Sequence, residues 1–176
     1  MSGCSCSCSN SILPSCLNCL CESSTPIVTC NTGYIFNYEE LSIVTIEAGY
    51  PIPFNEPAIT RGSISHNNLS APEEIHIAET GLYEVNFYVN TEGISEIGIL
   101  LSSSPATFPV TFSTIPTRLV YRKSVDGAVY GQALILVEEA DSILYLILSS
   151  IDALHNITLT NAAVNASVMI EKVCDR

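Results

Sequence analysis

The feature that most constrains the fold is the two-residue alternation of side-chain character in short segments of residues 31–176. It is clearest in Tyr83–Val89 and recurs in Ser42–Ile46 and Ile75–Ile77. Alternation with this period places successive side chains on opposite faces of a β-strand. Gly, Pro, Asn and Ser separate the segments, and no segment predicts a helix of three turns. The pattern predicts an all-β domain, a sandwich or barrel-like jelly roll.

Two turn signals organise the second half of this region. Asp126-Gly127 lies between the apolar segments Tyr121–Val125 and Val129–Val137, which predicts a β-hairpin. The acidic segment Glu138–Asp141 separates Val129–Val137 from Ile143–Leu148, which predicts a strand, a turn and a strand.

Apolar residues make up 47% of the chain, and the mean hydropathy is +0.35. No apolar run reaches the roughly 18 residues of a membrane-spanning helix, so none is expected. The apolar surface must therefore be buried in the core or at subunit contacts. We expect some outer sheet faces to be covered as well as the inner ones.

The charge balance excludes nucleic acid as a partner. Asp and Glu number 18 against 6 Lys and Arg, for a net charge of −12. A nucleic-acid surface needs clustered cations, and the close basic group is limited to Arg118, Arg122 and Lys123. The same balance argues against binding to anionic membranes.

Cysteine is concentrated in residues 1–30, which we interpret as a connector preceding a domain of residues 31–176. Seven of the eight cysteines lie there: Cys4, Cys6, Cys8, Cys16, Cys19, Cys21 and Cys30. The first 12 residues hold no Lys, no Arg and no apolar run, so no secretory signal is predicted. Eight cysteines are nevertheless many for a reducing cytosol. Synthesis inside a cell followed by oxidation after release reconciles the two observations.

Spacing favours disulfides between subunits. Cysteines two apart on an extended segment, such as Cys4 and Cys6, point to opposite faces and reach different partners. Cys174, after the last predicted strand, is a candidate partner from an adjacent subunit. Two alternatives stay open: a small zinc or copper thiolate site in the connector, and unpaired thiols without a role. Zinc modules usually show a second Cys-x-x-Cys pair or a His pair, which is missing near Cys16-x-x-Cys19.

No catalytic or cofactor site is predicted. His76-Ile77-Ala78-Glu79 lacks the second His of a cupin-type metal site, so His76 is expected to face solvent. Three aromatic residues, Tyr83, Phe87 and Tyr130, are candidates for a trimer axis. They fit equally well as ordinary core residues.

Four segments occur in an order that resembles a known family. They are Gly33–Asn37, Pro51–Asn55, Ile77–Val85 and Ala166–Val173, with the pattern Gly81-x-Tyr83-x-x-x-Phe87 inside the third and running past it. Residues 33–173 thereby resemble the C-terminal domain of BclA-type exosporium glycoproteins. Those domains are jelly rolls similar to the complement head and tumour necrosis factor.

The resemblance implies a homotrimer on a bacterial spore surface, made in the mother cell without a signal peptide and without catalytic activity. The chain lacks the Gly-X-Y collagen stalk of those glycoproteins, and the connector stands in its place. It looks more like an endospore appendage subunit whose trimers stack into a fibre. The implied partners are other copies of the chain, an exosporium anchor protein and a tip protein. A spore-surface adhesin with a ligand-binding head is the alternative.

Overall fold

The computed structural model describes residues 30–38, 45–92, 95–110, 122–124, 127–148, 157–159 and 164–174. Across these ranges the chain forms strands and turns and no helix, as the alternation predicts. No helix in this part of the chain is long and apolar enough to cross a membrane. Six connector cysteines, Cys4 to Cys21, lie outside the described residues, so the connector boundary at residue 30 stays a prediction.

Twelve strands are described: β1 (Thr32–Asn37), β2 (Thr45–Ile46), β3 (Ile59–Arg61), β4 (Ile64–Asn67), β5 (Ala71–Ile77), β6 (Gly81–Glu92), β7 (Ser95–Ser102), β8 (Arg122–Ser124), β9 (Gly127–Val137), β10 (Ser142–Leu148), β11 (Ile157–Leu159) and β12 (Ala166–Cys174). All the described strand pairs are antiparallel.

The strands form two sheets packed face to face. Sheet A runs β2-β11-β6-β12-β1-β3, with β9 on the other edge of β6. Sheet B runs β4-β5-β10-β7-β8. Neighbours in each sheet are mostly distant in sequence, which is the jelly-roll arrangement.

The core lies between the inner faces of the two sheets. Along β6, Tyr83, Val85, Phe87 and Val89 are buried, while the residues between them are half-buried on the opposite face. Sheet B contributes Ile and Leu side chains, among them Leu144 of β10. The alternation in Tyr83–Val89 therefore correctly predicts both the strand and its buried face.

Strand β10 is buried on both faces. Its outward residues Ile143, Tyr145 and Ile147 pack beneath Ala106 and Phe108 of a loop that the chain lays over sheet B. The Tyr145 hydroxyl accepts a hydrogen bond from the Ala106 amide at 3.2 Å, and burial raises the pKa of Tyr145 to about 12. The chain itself thus covers the outer face of sheet B around β10, as the high apolar content predicts for some outer faces.

The two turn predictions have different outcomes. The strand, turn and strand around Glu138–Asp141 are confirmed, with Asp141 at a positive φ of 59°. The hairpin at Asp126-Gly127 is wrong, because β8 pairs with β7 in sheet B while β9 pairs with β6 in sheet A. Gly127 has a φ of 85°, and such a residue permits a sharp change of direction whether or not the flanking strands pair.

A glycine on β9 lets a core aromatic ring reach its position. Gly131 lies directly opposite Phe87 of β6, and a Cβ at position 131 would overlap the Phe87 ring. The Phe87 ring therefore occupies the space that a side chain at position 131 would need, so its position in the core requires a glycine there.

Gly131→Ala is expected to destabilise the domain by roughly 1–3 kcal/mol, because the added methyl group forces the Phe87 ring out of its site. Urea unfolding at fixed protein concentration measures this loss. In a Phe87→Leu background the ring is gone, so Gly131→Ala should cost much less. An equal cost in both backgrounds would show that the ring contact is not the reason.

Candidate interaction face on sheet A

The outer face of sheet A collects most of the exposed large apolar side chains of the described residues. Six of the nine lie there: Tyr34, Ile59, Tyr130, Leu134, Leu136 and Met169. The half-buried Phe36, Leu82 and Tyr88 lie among them. We call these nine residues the apolar face.

The strand registers show that these residues form one surface. Tyr34 lies opposite Ile59 on one side and Met169 on the other. A second row runs from Phe36 to Tyr130 through Ser167 and Tyr88, and residues directly opposite on neighbouring strands share a face. The apolar face therefore spans sheet A from β3 to β9.

Two pairs of aromatic rings pack together on the apolar face, one on β1 and one between β6 and β9. The Tyr34 and Phe36 rings stack with centroids 5.3 Å apart, and the Tyr88 and Tyr130 rings lie 5.0 Å apart. Burial, and to a smaller extent Tyr130, raises the pKa of Tyr88. Pairs of this kind lose little side-chain freedom when another protein covers them.

A polar cluster lies in the middle of the apolar face. The Glu84 carboxylate accepts a hydrogen bond of 2.6 Å from Gln132 Nε2 and one of 3.0 Å from Asn86 Nδ2. Hydrogen bonds from Asn86 and Gln132 lower the pKa of Glu84 below 4.5. This carboxylate is therefore ionised at neutral pH and held in one orientation.

A shallow, open depression of about 350 Å³ adjoins this cluster. Asn86, Phe87, Tyr130, Gly131 and Gln132 line it. Its lining offers amide and aromatic contacts for binding rather than a nucleophile or a paired acid and base.

The structure separates the three aromatic candidates. Tyr83 and Phe87 are buried within the single chain, and a place for either at a trimer axis stays a prediction. Tyr130 is 67% exposed and belongs to the apolar face. Of the eight cysteines proposed for inter-subunit disulfides, Cys30 and Cys174 are described, and both are unpaired in the chain.

His76 is expected to face solvent, and its side chain is partly exposed in the structure. The His76 side chain lies on β5 with 42% exposure and contacts the Glu74 carboxylate at 3.0 Å. Within the ranges that the structure describes, no three His, Cys, Asp or Glu side chains approach closely enough to hold a metal ion. The thiolate alternative for the connector concerns cysteines outside those ranges and stays a prediction.

Sequence reasoning missed Ile59, Leu134, Leu136 and Met169. One signal was present: Ala133–Val137 is apolar at every position, unlike the alternating β6. A strand without polar positions has both faces covered, or one face free for a partner.

Comparison with known proteins identifies the fold. No family model matches the chain, and no curated protein is similar enough to count as a relative. Among solved structures, Eiger TNF from S. frugiperda superposes with a TM-score of 0.56 at 9% identity, over 84% of this chain and 95% of that one. The domain has the jelly-roll fold of a tumour necrosis factor.

Two further structures were found. Murine APRIL matches with a TM-score of 0.51 at 7% identity, over 81% of this chain and 98% of that chain. The globular domain of zebrafish complement 1qA gives 0.49 at 11% identity, over 80% and 94%. The matches to Eiger TNF and murine APRIL confirm the expected tumour-necrosis-factor-like jelly roll, and identities this low establish the fold alone.

Gln132→Ala should raise the pKa of Glu84 towards 4.5, because it removes the shorter of the two hydrogen bonds that favour the ionised form. Folding lowers the pKa of Glu84, so the two hydrogen bonds stabilise the folded state at pH values above the ordinary glutamate pKa. That stabilisation is lost as the pH falls through the folded-state value. Carboxyl NMR titration measures the change, and Tyr130→Phe, which leaves both bonds intact, is the control.

Proposed function

We propose that the chain is a non-enzymatic structural subunit that forms a homotrimer through the apolar face. In this proposal the trimers are joined through the connector into a disulfide-cross-linked fibre, an endospore appendage, or into an exosporium layer. The apolar face is the observation that carries the proposal.

Exposure of this kind favours self-association. Soluble monomers rarely expose a large contiguous apolar surface, and such surfaces usually mark interfaces. Ile59, Tyr130 and Leu134 are each more than 60% exposed in the single chain. A closed ring of copies would remove them from water and leave no unsatisfied copy at the end.

The connector supports the second step of the proposal. Seven cysteines fall within the first 30 residues, and thiols on an extended segment reach several partners at once. Each disulfide between copies adds about 2–4 kcal/mol under oxidising conditions, so several would give a polymer resistant to heat and detergent.

The location and the other partners rest on the resemblance to exosporium proteins. They comprise assembly on the spore surface after synthesis in the mother cell, an exosporium anchor protein and a tip protein. The net charge of −12 fits a surface subunit whose finished particles repel one another.

A ligand-binding head, as in a spore-surface adhesin, is the second candidate. The depression beside Tyr130 and Gly131 favours it, because its lining combines an aromatic ring with amide groups. An adhesin would leave this depression open in the assembled trimer, whereas the structural proposal places the apolar face between copies.

Leu134→Glu should weaken self-association more than tenfold. It removes an exposed leucine from the apolar face and places a second carboxylate directly opposite Glu84. Light scattering after size-exclusion chromatography, over a dilution series, measures the effect.

Leu69→Glu is the matched control, since it makes the same chemical change at a leucine that is 89% exposed in the β4–β5 turn. It should leave the oligomer intact. If the unmodified protein, Leu134→Glu and Leu69→Glu all had the same oligomeric mass, assembly through the apolar face would be contradicted.

Replacing all seven connector cysteines with Ser should leave folded trimers and abolish reduction-sensitive polymers; they are Cys4, Cys6, Cys8, Cys16, Cys19, Cys21 and Cys30. The expectation follows because the connector thiols supply the covalent links in this proposal. Non-reducing gels and negative-stain microscopy, each with and without reductant, provide the measurement. Polymers of unchanged resistance would refute the role of these thiols.

A further inference from the structure

The two described cysteines lie at the same end of sheet A. Cys30 lies two residues before the start of β1, and Cys174 ends the neighbouring strand β12. Thr32 lies opposite Glu171, and the Lys172 amide donates a hydrogen bond of 2.9 Å to the Asn31 carbonyl. Continued by one residue, this register brings Cys30 opposite position 173, adjacent to Cys174.

A β-bulge turns Cys174 towards the face that Cys30 shares. Lys172 lies opposite the inward-facing Tyr83, yet Cys174 lies opposite its neighbour Leu82, on the outer face. Without the extra residue, Cys174 would have the same orientation as Lys172. Cys30 precedes the buried Asn31 and therefore also belongs to the outer face.

One carboxylate joins the side chains of two residues that lie close to the cysteines in sequence. Glu79 Oε2 accepts hydrogen bonds of 2.8 Å from Asn31 Nδ2 and from Lys172 Nζ. The Asn31 side-chain oxygen also accepts a bond of 3.0 Å from the Ser63 amide. Asn31 is the neighbour of Cys30 and Lys172 is two residues from Cys174, so these bonds and the backbone bond between Lys172 and Asn31 hold together the two segments that carry the cysteines.

From this placement we infer that Cys30 and Cys174 form a disulfide within one chain when the protein is oxidised. Neighbouring strands lie about 4.7–4.9 Å apart, and a displacement of one residue along a strand is about 3.3 Å, which gives a Cα separation of roughly 6 Å. Disulfides join Cα atoms about 4.4–6.8 Å apart, so this placement meets the requirement. Both thiols are unbonded in the structure and available for the reaction.

The oxidant is a small-molecule disulfide such as oxidised glutathione. One cysteine thiolate attacks it and forms a mixed disulfide, releasing the first small thiol. The second thiolate then displaces the other small thiol and completes the S–S bond. The two cysteines lose two protons and two electrons, and the small disulfide gains them as two thiols.

The bond would join the start of the domain to its last strand. The connector ends at residue 30, so tension on it would pass to β12 through the sulfur atoms as well as through the β1 hydrogen bonds. This pairing leaves the six earlier cysteines for contacts between copies, and it does not depend on trimer formation.

Isotope mixing tests the inference on the full chain. Unlabelled and ¹⁵N-labelled protein are unfolded together under reducing conditions, refolded, oxidised with glutathione disulfide and digested without reduction. Mass spectrometry should find Cys30–Cys174 peptides that are wholly light or wholly heavy. Mixed light–heavy peptides would show a bond between copies, and a lack of any such peptide would show no pairing; either result overturns the inference.

A second measurement uses the full chain with the six earlier cysteines changed to Ser. Oxidation should reduce its titratable thiols from two to none, keep its mass on a non-reducing denaturing gel at one chain, and raise its unfolding midpoint by roughly 5–15 °C. Adding Cys174→Ser should abolish all three effects. Trimers that lack the bond would overturn this inference alone, whereas monomers that contain it would overturn only the proposed assembly.

Discussion

Strand β6 is the central strand of sheet A, and its hydrogen bonds set the register of three neighbouring strands. It pairs with β9 along one edge and with β12 and β11 along the other, so its register fixes theirs. Its inner face supplies the buried Tyr83 and Phe87, and its outer face supplies Glu84 and Tyr88. The same hydrogen-bond ladders therefore set the core and the apolar face together. A slip of one residue in β9 would bury Leu134 and expose Ile135.

The local sequence pattern predicts the strands and turns well, but it predicts poorly which strands pair with each other. The alternation of β6 and the acidic turn before β10 are visible in the sequence, because both depend on neighbouring residues. The partner of β9 depends on contacts with residues about 45 positions earlier. Asp126-Gly127 has the chemistry of a hairpin, and nothing local distinguishes a hairpin from a crossing between sheets.

The candidate face illustrates the same limit. Tyr83 and Tyr130 are both aromatic residues within strands, yet one is wholly buried and the other mostly exposed. The orientation of β6 can be inferred from its alternating polar residues, whereas Ala133–Val137 is apolar at every position and gives no such indication. The nearness of Cys30 to Cys174 was equally inaccessible, since it arises from the β1–β12 register and a bulge.

The loop laid over β10 has a consequence for how copies of the chain can meet. The Gly49 amide donates a hydrogen bond of 2.8 Å to the Leu148 carbonyl, and the Val110 amide donates one of 2.9 Å to the Gly49 carbonyl. The Phe108 ring lies against the Tyr145 ring with centroids 5.3 Å apart. The outward side chains of β10 are thus already covered by their own chain, whereas the apolar face on sheet A is uncovered in the single chain. A partner that binds through apolar contacts would therefore meet sheet A rather than the part of sheet B that surrounds β10.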